Sequence, residues 1–551
     1  MKSTITAAAI GFAFALPALG EINFPDFTIP SLSSALPIFA LGPKQNLPAR
    51  VVGEIVNGAG NLCEPKCDEN GCSYHKDGRL AVFTDKGTGE TSIFPHVEAL
   101  YPSAKDIPLD QMEKYLKDKR IFPLDDTRIQ ALKGATLAGN KNQSGTVTTP
   151  GNYLTDIWIN RTIVYKDGEA PICGPGTKAF FSFGADGKVK AVSHRWRPAR
   201  QHKESSFNPV SLSSVHDSIL HQLTAANVTN ATVGHVDLCY YDSGNAFIQP
   251  ALRWTAVVPV QDGATPENIV GYIAAALQPP ELVPNITIAS DLTLTSSPNN
   301  NSIPTGAEPS KRQRSVKVGL YPMKNDGNSQ IYEDDVHYFY NALAKSKLAA
   351  FSRSQDYWGK TFEYVSNKEQ FVNSVNVALT RGHGSEHTFY TDSLDPSSGA
   401  VTLDSIPSSG FGPGAGGSLA YWIISTCDTV STSADYSAAN FHLAYDPWWH
   451  VFNGLHAVVG FRSEKWTSDG VTLPFAQKLA VGGGFVWSWL NTVNQDSHYN
   501  PNSKYGTNSQ TGQPIWYGRP SAVVVCGHTD DTVLQMDNLG RPSCLQQWWY
   551  Y

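Results

Sequence analysis

The strongest pattern of apolar and polar positions lies in the C-terminal part of the chain. Four stretches, "SVKVGLYPM", "VNVALTR", "LAYWIISTC" and "LHAVVGFRS", are apolar with little polar alternation and read as buried strands. Segments of helical spacing separate them. "YEDDVHYFYNALAKSKLAAF" carries acidic residues near its start, as the helix dipole prefers, and "LPFAQKLAVGGGFVWSWLNTV" brings further helix. "KTFEYVS" reads as one more strand and "NKEQFVNSV" as a short helix. Unalternating strands joined by helices predict a mostly parallel sheet covered on both faces.

The pattern before residue 280 is different. "TKAFFSFGADGKVKAVSHRWRP" predicts a hairpin turning at Ala185-Asp186-Gly187. "LSSVHDSILHQLTAA" has helical spacing, with Ser213 or Ser214 as its cap. "HVDLCYYDSGNAFIQPALRWTAVVPV" predicts a second hairpin turning at Asp242-Ser243-Gly244. Residues 280–314, including "SSPNNNSIPTGAEPSKRQRS", are polar and without period, which marks a linker. The chain therefore divides into a leader (1–20), an extended lead-in rich in Pro, Leu and Ser (21–50), an α+β region with antiparallel hairpins (51–279), the linker, and an α/β domain (315–551).

A chain of 551 residues is too long for one ordinary domain, in keeping with that division. Its 41% hydrophobic and 17% charged residues suit a folded globular protein. Net charge is -7 and the one long basic run is Lys311 to Arg314, which argues against nucleic-acid binding. Lys2, the apolar run after it, and the small residues Ala18 and Gly20 before Glu21 make a secretory signal, with a membrane anchor as the alternative. No later stretch reaches the roughly 18 apolar residues of a membrane helix, so the mature chain is expected to be soluble, off the membrane and extracellular. Six glycosylation sequons, at Asn142, Asn160, Asn227, Asn230, Asn285 and Asn300, agree with export. Arg312 or Arg314 in the basic run would suit a kexin- or furin-type processing protease; a solvated charge cluster is the other reading.

The candidate chemistry gathers at two strand ends. "NVALTRGHGSEH" runs out of its apolar part into Arg381-Gly382-His383-Gly384, and "YWIISTCDTV" ends at Cys427. In a parallel sheet the crevice at the carboxyl ends of the strands collects functional groups. If these strands are neighbours, imidazole and thiol share one edge. A thiol needs activation to attack at neutral pH, and His383 can deprotonate it and protonate a departing amine. Gly382 is expected to let the strand turn sharply, and Gly384 to bring its N–H close to a substrate carbonyl.

The eight cysteines fall five before the linker and three after. Cys526 and Cys544 make the natural late pair, which leaves Cys427 as a thiol; a permanent disulfide at Cys427, or an early cysteine capping it, stays open. His383 and His387 with Glu386 between them would suit zinc on a helix, but the glycines and the preceding strand oppose a helix. Cys63, Cys67, Cys72 and His75 could hold zinc, though a local disulfide fits an exported chain better. Asp428 either lines the cleft or caps the next helix. Arg462, at the mouth of the following strand, would favour an acidic substrate group if it points inward. His456 reads as structural, and "DPWWHVFNGLH" and "QQWWYY" as core or domain contacts. No cofactor or metal is expected.

Two resemblances follow from these residues. The strand–strand–helix–strand–strand order from "GPGTKAFF" to "LRWTAVV" resembles PepSY-type, cystatin-like modules found in propeptides of secreted peptidases. A strand ending in His-Gly, then "IISTCDT", then "GLHAVVGFRS", resembles the caspase-like cysteine peptidases, the group of gingipain, legumain, separase and CHAT domains, over about residues 315 to 495. That resemblance implies a caspase-like α/β fold and a cysteine peptidase acting on a peptide or protein substrate; the propeptide-like module and the KRQR run together suggest that the secreted enzyme is a zymogen. The caspase-like resemblance implies Cys427 as nucleophile, His383 as general acid/base, and the N–H groups of Gly384 and Cys427 as an oxyanion hole worth roughly 3 kcal/mol per donor. The rivals are a non-catalytic secreted binding protein on the same fold and a metal-dependent hydrolase using His383 and His387.

Overall fold

The structure is a computed structural model. It describes residues 22–550 apart from 26–29, 31, 33–35, 57–63, 69–70, 104–105, 124, 146, 203–207, 259–267, 284–285, 287–314, 325–328, 393–398, 469, 497–503 and 510. The leader, Arg312, Arg314, Cys63, Asn285 and Asn300 lie outside the described residues.

In the N-terminal region, β1 (Arg128–Asn142) and β2 (Gly151–Tyr165) form a long antiparallel pair. β3 (Gly168–Cys173) returns along β2. β4 (Ala179–Phe183) and β5 (Val189–His194) make the first hairpin, with β4 beside β2 on the edge opposite β1. α1 (Leu212–Ala225) follows, capped by the Ser211 hydroxyl accepting the Ser214 N–H, so the cap falls before the Ser213 or Ser214 read from sequence. β6 (Ala231–Asp242) and β7 (Phe247–Val257) are the second hairpin, and β8 (Asn268–Ala274) pairs with β7. The two hairpins do not pair with each other; β2 and β3 lie between them.

The C-terminal region opens with β9 (Ser315–Pro322) and α2 (Ser329–Leu343). β10 (Ala350–Asp356) then pairs parallel with β9, where the sequence reading extends the helix to residue 351. The helix ends at Leu343, and Ser346 holds the turn after it: its hydroxyl donates to the Ala480 carbonyl at 2.6 Å and accepts the Leu348 N–H at 3.1 Å. The segment read as a strand at "KTFEYVS" is a helical turn, Thr361–Tyr364, because the Glu363 carboxylate turns back to accept the Lys360 N–H at 2.9 Å. The helix expected at "NKEQFVNSV" shrinks to a 3-10 turn, Val372–Ser374.

β11 (Val377–Arg381) joins the other edge of β9 in parallel. A small side sheet of β12 (Gly384–Ser385), β13 (Thr388–Tyr390) and β14 (Ala400–Thr402) follows. β15 (Tyr421–Ser425) lies parallel to β11, and β16 (Ala457–Phe461) parallel to β15. Helices α3 (Thr472–Ala480) and α4 (Phe485–Asn494) come next. β17 (Pro520–Val525) and β18 (Cys544–Tyr550) close the region antiparallel.

Every residue of β11, β15 and β16 is buried, as unalternating strands demand. Successive side chains go to opposite faces. Leu379, Ile423 and Val459 pack with Val336, Phe339 and Phe475 from the helices. Ala378, Trp422 and Val458 pack with Phe389, Trp448 and Phe452 on the other side.

The two regions share one continuous ladder. β18 pairs with β1 from Cys544 opposite Asn142 to Tyr550 opposite Thr136. The Trp158 and Tyr550 rings meet across this seam, centroids 4.8 Å apart.

Candidate active site at the carboxyl edge of the parallel sheet

β11 and β15 are paired neighbours, and the register sets Arg381 opposite Ser425. His383 and Cys427 are each the second residue beyond that pair, so they leave the sheet at equivalent positions on one edge. Gly384 carries the contact further. A β-carbon there would lie 2.6 Å from the Cys427 carbonyl oxygen and 2.5 Å from the Thr429 Oγ1, so only glycine fits. The Tyr390 N–H donates to the His383 carbonyl at 3.0 Å. By antiparallel alternation the Gly384 N–H therefore points away from β13.

Gly382 keeps ordinary backbone angles. What it permits is close packing, since a β-carbon would sit 2.7 Å from the Met323 Cβ. The left-handed residues at this edge are His387 (φ 53°) and Asp428 (φ 54°).

His383 and Cys427 are both 0% exposed. The Tyr332 hydroxyl, on α2, lies 3.3 Å from His383 Nε2 and its ring meets the imidazole edge-on. Arg381 lies beneath: its guanidinium donates to Asp335 at 2.7 Å, to the Thr467 carbonyl, and faces the Tyr332 ring at 4.9 Å. The Lys465 N–H points at Cys427 Sγ from 3.4 Å, a donor that favours a thiolate. Tyr517 stands nearby; burial first, then Glu464, push its hydroxyl up to about 12.

The N-terminal region holds the segment that carries Lys465. The Thr467 N–H donates to the Asn268 carbonyl at 2.7 Å. The Ser468 hydroxyl accepts the Val270 N–H at 3.1 Å and donates to the Val270 carbonyl at 2.9 Å. Arg253 lies over the Trp466 ring at 5.3 Å.

The remaining sequence candidates are placed as follows. Cys526 and Cys544 form a disulfide, as do Cys67 with Cys72 and Cys173 with Cys239. Cys427 is the one cysteine outside a disulfide among the described residues. Three disulfides fit an oxidising compartment. Among the described residues no helix is long and apolar enough to cross a membrane. Asp428 caps no helix; Thr432 begins the next helical turn. Arg462 is engaged by Asp435 through both Nε (3.1 Å) and Nη2, so its charge does not face an open pocket. His387 lies across a strand turn from His383, not one helical turn away, and burial holds its pKa low. Asn142, Asn227 and Asn230 are exposed and Asn160 is half-buried.

Tyr332, Lys465 and Tyr517 are the residues that sequence reasoning misses. Tyr332 shares a helix face with Asp335, Val336 and Phe339, a signal that could have turned it toward the sheet. The Lys465 N–H reaches the thiol by loop geometry that no spacing encodes, and Tyr517 comes near it the same way.

Residues 318–516 match a family described as a domain of unknown function (DUF6345), which spans less than half of the chain. No curated protein matches. Two solved structures are similar in part. An uncharacterised protein from Eubacterium rectale ATCC 33656 is 9% identical, with 48% of this chain and 90% of that chain covered and a TM-score of 0.26. The Bacillus megaterium YpeB C-terminal domain is 14% identical, with 42% and 95% covered and a TM-score of 0.19. Likenesses this distant carry no argument about fold or activity.

Proposed function

We propose that the C-terminal region is a cysteine peptidase of caspase-like type, exported and held latent by the N-terminal region. The single observation that carries the reading is the register of β11 and β15, which sends His383 and Cys427 out at matched positions. Cys427 attacks a peptide carbonyl, His383 moves the proton to the leaving amine, and the Gly384 N–H with that of Cys427 receives the oxyanion. The parallel order β10–β9–β11–β15–β16 supports the resemblance to that fold. The leader, the sequons and the kexin- or furin-type motif at Arg312 and Arg314 support export and processing, and the PepSY-like order of the first region supports a propeptide-type role.

The complete burial of both side chains favours a second reading, a secreted binding protein on the same fold without catalysis. Digestion of a mixed peptide library separates the two. Nicked in its linker, the protein should cut peptides that the intact chain and the nicked Cys427→Ala variant leave whole; equal, background cleavage by all forms contradicts the peptidase.

A further inference from the structure

Among the described residues β8 is the last strand before the linker, and in its own sheet it pairs with β7 alone. Its other edge meets residues 466–468, the segment just after Lys465, whose N–H points at the thiol. Asn268 and Trp466 form a parallel bridge. The Asn268 carbonyl accepts the Thr467 N–H at 2.7 Å. Two residues on, and so on the same edge of the strand, Val270 donates its N–H to the Ser468 hydroxyl at 3.1 Å. Its carbonyl accepts the proton of that hydroxyl at 2.9 Å. All three bonds use the backbone of residues 268 and 270. They do not depend on the side chains there, and any extended peptide carries the same groups.

The segment is also anchored without β8. Arg381, held by Asp335 at 2.7 Å, donates to the Thr467 carbonyl, and the Gly518 N–H donates to the Glu464 carbonyl at 2.7 Å. With β8 lifted away, the Thr467 N–H and the Ser468 hydroxyl would stay in position and lose their partners. A buried donor left so costs free energy, and the backbone of an incoming peptide restores the bonds. With β8 in place Cys427, Lys465 and Thr467 are all 0% exposed. Two further contacts hold the cover down. Arg253, on β7, lies over the Trp466 ring at 5.3 Å, and the Asn268 side chain hydrogen-bonds the Tyr517 hydroxyl.

We infer that residues 466–468 are the track on which an extended peptide substrate lies, and that Asn268–Val270 fills it in the intact chain. This rests on the peptidase reading above and names how latency is kept: the N-terminal region competes for the backbone bonds of the substrate and leaves His383 and Cys427 in register. The linker follows β8, so a cut there frees the strand at its far end while the ladder of β1 and β18 holds. The segment can then lift without the region leaving.

The test uses the full chain, intact and nicked in its linker. Its readouts are amide hydrogen exchange at Thr467 and alkylation of Cys427 by iodoacetamide. Ser468→Ala removes both side-chain bonds to Val270, and Arg253→Ala removes the cation over Trp466. Expected are rates about fivefold faster on nicking and in intact Ser468→Ala, and about twofold faster in intact Arg253→Ala. Exchange at Leu379 and Ile423, inside the sheet, should not change; a matching rise there marks general loosening and overturns the inference. So do rates that neither nicking nor either variant alters, and peptide cleavage appearing on nicking all the same would leave the peptidase reading standing. Faster rates while no form cleaves peptide overturn that reading and the substrate track with it, and leave β8 as a cover over the thiol.

Discussion

Gly384 packs directly on the turn that carries Cys427: a β-carbon added to it would fall 2.6 Å from the Cys427 carbonyl oxygen. This contact links the His383 strand end to the thiol, and it fixes a first prediction. Gly384→Ala must displace backbone as well as the Thr429 hydroxyl, so stability should drop by about 1–3 kcal/mol. Denaturant unfolding measures the drop, and Cys427 alkylation should change with it. An unaltered unfolding midpoint would mean that the two strand ends lie farther apart.

Tyr332 donates or accepts at His383 Nε2 while its ring faces Arg381. Tyr332→Phe keeps the ring and removes the hydroxyl, so the expected loss of stability is only about 1 kcal/mol. The pH profile of Cys427 alkylation should shift, because the imidazole loses the group that orients it. A merely structural Tyr332 would leave that profile in place.

Asp156, on β2, accepts the Thr136 hydroxyl at 2.8 Å, and burial raises its carboxyl to about 7. The unfolded chain releases this proton near the ordinary carboxylate value and the folded chain holds it, so stability should fall as pH rises from about 4 to about 7. Asp156→Asn removes the penalty. It should raise stability at pH 8 by on the order of 4 kcal/mol and leave the protein little changed at pH 4. Chemical unfolding at both pH values checks the sign; a variant less stable at pH 8 contradicts it.

The shared ladder of β1 and β18 bears on processing. Cleavage at Arg312 or Arg314 should not by itself release the N-terminal region, although no described disulfide joins the two parts. Nicked protein should elute as one species on native gel filtration and split only in denaturant. Separation on nicking alone would show that the seam does not hold.

Of the four apolar strands of the C-terminal region, β11, β15 and β16 were legible because each is buried on both faces and lacks alternation, and β9 because it becomes fully buried after the exposed Ser315 and Lys317. The helix read through Phe351 was not, because apolar residues at 348–351 continue the helical period. The helix ends at Leu343 instead, and the Ser346 hydroxyl, bonded to Ala480 far along the chain, holds the turn that follows. Likewise Glu363 sits in what looks like a strand, but its carboxylate folds back to accept the Lys360 N–H. At the site, His383, Gly384 and Cys427 announced themselves as strand ends. Arg462 suggested a pocket, yet Asp435, which no local pattern ties to it, takes its charge.

The most direct measurement is the rate of Cys427 alkylation by iodoacetamide against pH, read by peptide mass spectrometry, in the native protein and in His383→Ala. Opening of the buried site is common to both, so their ratio isolates the imidazole. The expected result is a thiol that titrates below the ordinary value of about 8.5 and rises toward or above it when His383 is removed. Identical profiles in the two proteins would contradict a functional pairing of His383 with Cys427.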